Sequence, residues 1–132
     1  MSYQQAGIID KVPLYLEAKK LTSLVLDATP NFPKGVKYTV GAEMHRAAMG
    51  MLRNIALAVH ASTAEERLRA VELHLADFEL LKGYLEISFE KKWLGMKAYA
   101  EMTKHVLSIG RQGTAWKRNL VKGCGQSRRS QG

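Results

Sequence analysis

Cysteine is nearly absent from this 132-residue chain: the single Cys124 permits no internal disulfide and fits a reducing compartment. Only three prolines and 24% charged residues argue against wholesale disorder. No apolar run approaches the roughly 20 residues that a membrane span needs. The N-terminal residues contain neither a basic leader nor a continuous apolar stretch, so the sequence predicts a cytoplasmic protein that does not meet a membrane. Strand signals are missing as well, because alternating β-branched runs bounded by hairpin dipeptides do not occur. Acidic residues are scarce: 12 Asp and Glu stand against 20 Lys and Arg, a net charge of +8 and a pI near 9.7. Such a balance favours phosphate-bearing or acidic partners.

What fills the chain is helical periodicity, with apolar residues at three- and four-residue spacing. A first helix begins at Asp10 and Pro13, with Leu14, Ala18, Leu21, Val25 and Ala28 inward, and stops at the Pro30 to Gly35 turn. A second runs from about Tyr38 to Ala61, with Val40, Met44, Ala47, Met51, Ile55 and Ala58 inward. Thr63 and Glu66 form a capping box that opens a third, which extends to about Trp93. Its core face is Leu68, Val71, Leu75, Phe78, Leu85 and Phe89, with Lys82 snorkelling from it. Gly95 breaks the chain before a fourth helix from about Met96 to Leu120. The pattern predicts an all-α, up-down-up-down four-helix bundle over residues 1–122 and a basic, flexible tail over 123–132.

The excess charge is concentrated. Beyond Lys92 lie Lys97, Lys104, Arg111, Lys117, Arg118, Lys122, Arg128 and Arg129, against Glu101 alone. Lys97, Lys104, Arg111 and Arg118 recur every seventh residue, opposite the inward Ala98, Met102, Val106, Ile109 and Trp116. Lys122 continues the line. Lys97 to Arg118 spans about 31 Å at about 1.5 Å per residue. Outward lysines are often merely solvated, but the scarcity of compensating acids points to a polyanion. Arg128 and Arg129 extend the field, and Arg46, Arg53 and His60 repeat the spacing more weakly on the second helix.

The third helix carries a different signal. Leu73, Leu80 and Ile87 form a second apolar stripe roughly 180° from the core face, flanked by Glu65, Glu72, Glu79 and Glu86. A monomeric bundle would leave that seam in water. Three aligned large apolar residues beside a row of acids predict an oligomer interface built on Leu73, Leu80, Ile87, Glu72 and Glu79.

Chemistry-bearing constellations are few. His45, His60, His74 and His105 show no paired metal-ligand spacing, and Glu101 with His105 is a single pair. Cys124 has no positioned base. Gly110 and Gly113 lack the phosphate-loop pattern and read as close helix-packing positions beside Trp116. The expectation is a non-enzyme with no cofactor and no metal.

Two segments are familiar. Phe32-Pro33-Lys34 leading through Tyr38 into Val40-Gly41-Ala42-Glu43-Met44-His45-Arg46-Ala47-Ala48 and Asn54-Ile55-Ala56 resembles the four-helix-bundle proteins encoded in 23S ribosomal RNA intervening sequences. Ile109-Gly110-Arg111-Gln112-Gly113-Thr114-Ala115-Trp116-Lys117-Arg118 resembles the last helix of a related branch, the accessory variability determinants (Avd) of diversity-generating retroelements. Lys117 stands where that likeness leads one to expect an apolar residue. The resemblance covers about residues 12 to 120. It implies a homopentamer, non-catalytic, that partners the element's reverse transcriptase and binds RNA or DNA during mutagenic retrohoming. The alternative reading is a structural bundle of the intervening-sequence type that meets an acidic protein.

Overall fold

A computed structural model describes the backbone of residues 9 and 11–131 and the side chains of residues 9 and 11–124. Of the described residues 87% are helical, and no strand occurs among them. Four long helices carry the architecture: α1 (Pro13–Ala28), α2 (Val40–Val59), α3 (Ala64–Glu90) and α4 (Met96–Gln131). A 3₁₀ turn, Thr29–Asn31, and a single helical turn, Lys34–Lys37, fill the first corner. Asp10, expected to open the first helix, lies outside the described residues; Pro13 occupies the first helical turn. Each helix packs on two neighbours, in the ring order α1, α2, α3, α4. Short corners make those neighbours antiparallel, the up-down-up-down arrangement.

The local signals act as their chemistry requires. Thr63 accepts from the Glu66 amide at 3.1 Å, and the Glu66 carboxylate receives the Ser62 amide at 3.1 Å, one residue earlier than an ideal capping box. Arg67 then donates to the carbonyls of Ala58 at 3.0 Å and Ala61 at 2.9 Å. One side chain therefore satisfies two acceptors at the α2 end. At the opposite end α3 terminates through Lys92, which adopts φ 64°, while the Trp93 amide bonds back to the Ser88 carbonyl at 2.9 Å. That left-handed position normally holds glycine.

The inward stripes meet as the periodicity requires. Leu21, Val25, Met44, Met51, Ile55, Phe78, Leu85, Met102 and Ile109 are all at most 2% exposed. Truncating one of the largest of these to alanine should cost about 2–5 kcal/mol. Trp116 touches both the main core and a second cluster of Ala58, Ala70 and Val71. Gly113 serves close packing, since a Cβ there would come within 2.9 Å of Leu75 Cδ2; Gly110 has ordinary room against Phe78.

Two elements and one side chain differ from the sequence reading. The third helix ends at Glu90 rather than near Trp93, because the chain reverses through Lys92. The last helix continues to Gln131, through residues read as tail. No proline interrupts it, and Cys124 falls one turn beyond Leu120 and two beyond Trp116 on the same face. Cys124 is accordingly 6% exposed. The third difference is His74, fully buried between Val71 and Phe78 on the core face.

Candidate nucleic-acid interface

Lys97, Lys104, Arg111, Arg118 and Lys122 are all exposed along α4. They stand opposite the buried Met102 and Ile109, so the helix separates charge from core. Glu101 engages Lys104 at 3.3 Å, in an exposed pair that water and salt screen readily. Lys117 leaves the row: its ammonium lies 3.7 Å from Glu72 on α3. A lysine thus joins α3 to α4 where the Avd likeness leads one to expect an apolar contact. The side chains of Arg128 and Arg129 lie outside the described residues.

The second row is exposed too, but weaker. Arg46 is held by Glu43 through two contacts, 2.6 and 3.2 Å. That hydrogen bond, with the attraction between the charges, holds the Glu43 carboxyl below its usual range and the Arg46 guanidinium above its own. Arg46 is thus tied to its own helix by a shorter, two-contact pair than the one at Lys104, while Arg53 has no ion pair among the described residues. Moreover α2 and α4 occupy diagonal corners, each packed on α1 and α3. The two rows face away from each other, and one subunit does not bring them together.

The apolar seam is present in space. Leu73, Leu80 and Ile87 are 44%, 39% and 43% exposed. An open recess of about 390 Å³ extends it from Leu73 to Leu57 on α2, beside His60 and Arg69. Of the flanking acids, Glu72 is engaged by Lys117 and Glu79 by Lys82 at 3.5 Å. Glu65 and Glu86 have no ion pair among the described residues.

Several polar contacts escaped the sequence. His105 Nδ1 meets Glu17 at 2.6 Å and ties α4 to α1. Asn54 donates to Asp77 at 3.1 Å, and Asp77 lies against Gly50, where a Cβ would sit 2.2 Å from its carboxylate. His74 Nδ1 donates to the Met51 carbonyl at 3.0 Å, whereas its Nε2 has no partner. Only the last had a signal: His74 lies three residues after Val71 and four before Phe78. The other two pairs join residues 88 and 23 positions apart and have no local signature. Among the described residues no group of three or more His, Cys, Asp or Glu could hold a metal ion, and no helix is long and apolar enough to cross a membrane.

An antiparallel four-helix bundle with one strongly basic outer helix and an uncovered apolar seam defines the class. The chain belongs to the bAvd-like family, whose model matches residues 11–120, in agreement with the Avd likeness of the Ile109 to Arg118 segment. A comparison with curated proteins finds no match.

Proposed function

We propose that the protein is a non-catalytic accessory factor of a diversity-generating retroelement. It assembles into a homo-oligomer, a pentamer, in the cytoplasm, binds the element's reverse transcriptase, and holds RNA or DNA against its basic surface during mutagenic retrohoming. The observation that carries the reading is the exposed row Lys97, Lys104, Arg111, Arg118 and Lys122 in a bAvd-like chain, with Glu101 the one acid on α4. Each phosphate that a cation neutralises releases condensed counterions, so affinity falls steeply with salt. A straight row of cations lacks both base-edge geometry and stacking surfaces, so this row contributes little sequence preference.

The experiment is a salt titration of RNA binding by fluorescence anisotropy. Replacing Lys104 and Arg111 together by glutamine weakens binding on every sequence and flattens the salt slope by about 1 to 2 units, while helicity and mass stay unchanged. Unchanged affinity and slope would reduce the row to a solvated surface. Oligomerisation repeats the row, so a dissociated subunit binds far more weakly than the assembly. The seam of Leu73, Leu80 and Ile87 supports that assembly, because water otherwise covers three large apolar side chains.

A further inference from the structure

We infer that the corner between α1 and α2 is a stacking site for an unpaired nucleobase of a single-stranded nucleic acid, with Tyr38 as its platform. Tyr38 is 70% exposed, whereas every other described aromatic side chain is buried or partly buried. An aromatic ring in water is where a base can stack, and stacking needs only a free π-face. The ring is not on a loose loop. Tyr38 ends the Lys34–Lys37 turn, and the Thr39 hydroxyl donates to the Gly35 carbonyl at 2.9 Å and the Val36 carbonyl at 3.3 Å, which fixes the backbone on either side. Little ordering remains to be done on binding.

The surroundings match the same ligand. Tyr38 borders an open recess of about 290 Å³, lined also by Thr29, Pro30, Lys37, Ala42 and His45, at the small end of the range for ligand sites and suited to one planar ring system. Lys37 Nζ lies over the ring, 5.8 Å from its centroid, so a cation holds one face of the platform and the base stacks on the other. Thr29 Oγ1 and His45 Nε2, 2.6 Å apart, lock the recess floor to α2. Phe32 packs on Trp93 with centroids 6.1 Å apart, so this corner and the α3–α4 corner share one end of the bundle. That end carries the exposed cations Lys34, Lys91, Lys92 and Lys97 and the partly exposed Lys37, against the exposed acids Asp27 and Glu90 and a Glu43 already paired with Arg46. Lysines for the phosphates and one free ring for a base describe a single strand. A duplex keeps the faces of its internal bases stacked on one another and offers none of them to the ring.

The proposal rests on the nucleic-acid reading above, and its test keeps the two apart. Anisotropy would compare a labelled 20-nucleotide single-stranded RNA, the DNA of the same sequence, and the corresponding blunt RNA duplex. Tyr38→Ala should weaken both single strands about tenfold, leave the duplex within twofold, and leave the salt slope unchanged. Tyr38→Phe, which keeps the ring, should restore wild-type affinity. With 2-aminopurine in the single strand, the wild type should quench its fluorescence on binding and Tyr38→Ala should not. Wild-type affinity for single strands in Tyr38→Ala, or an equal loss on the duplex, would overturn the stacking site while leaving the basic row intact. A fall in oligomer mass on Tyr38→Ala would overturn it too, by making Tyr38 an intersubunit contact. Failure of the wild type to bind any of the three probes would overturn the nucleic-acid reading itself.

Discussion

Acid should destabilise this bundle through His74. Its imidazole is fully buried, Nδ1–H is committed to the Met51 carbonyl at 3.0 Å, and Nε2 faces no acceptor. A carbonyl can only accept, so the proton of the neutral ring sits on Nδ1. A second proton would place a charge and an unsatisfied N–H in the core. Burial therefore pushes the pKa below the usual imidazole value of about 6.5, with the bond to Met51 and the field of Asp77 opposing it more weakly. The unfolded chain takes up that proton below pH 6.5 and the native chain does not. His74 thus contributes stability that is fully present above pH 6.5 and is lost as pH falls toward the depressed native value. Proton uptake by the unfolded chain, whose imidazole titrates near 6.5, sets the ceiling of that loss between pH 7.5 and 5.5 at about 1.4 kcal/mol. For a chain of this length that is about 5 °C in melting temperature. His74→Leu removes the titrating group, while the Met51 carbonyl keeps its place in the helical ladder. Thermal melts of both proteins at fixed concentration, at pH 7.5 and 5.5, would measure the difference directly. Parallel shifts in wild type and His74→Leu would refute the reasoning.

Two further substitutions read the fold and the assembly. Lys92→Gly relieves the left-handed backbone at the α3 end and should raise stability by about 1 kcal/mol in urea unfolding, with nucleic-acid affinity falling slightly because a cation is lost. Leu80→Glu puts a charge at the centre of the seam; light scattering should show a smaller assembly while circular dichroism keeps the full helical signal, since Leu80 is 39% exposed within its own subunit.

Periodicity made most of the fold legible. The inner stripes of α1 and α2 are buried nearly as spaced, since a regular helix turns every fourth residue inward and few prolines interrupt it. Boundaries were less legible, because they depend on backbone conformation at single residues. Lys92 does the work of a glycine without being one, and α4 runs past Gly123 because the face of Trp116 and Leu120 continues to Cys124. The outward placement of the α4 row also follows from spacing. Its relation to the α2 row does not: which helices lie side by side is a property of the assembled bundle. Pairs such as Glu17 with His105 stay hidden for the same reason.

The diagonal placement of α2 and α4 has an electrostatic consequence. Helices with side chains are about 10–12 Å across, so two packed layers hold the rows about 20 Å apart through low-dielectric protein. At physiological salt the screening length is about 8 Å, and around the outside of the bundle the ions of the solvent finish what distance begins. Phosphates lying on one row are therefore almost blind to the other. Within one subunit, cations removed from the Arg53 face cannot be replaced by cations added to the Lys104 face, and the free-energy effects of changes on the two faces should simply add.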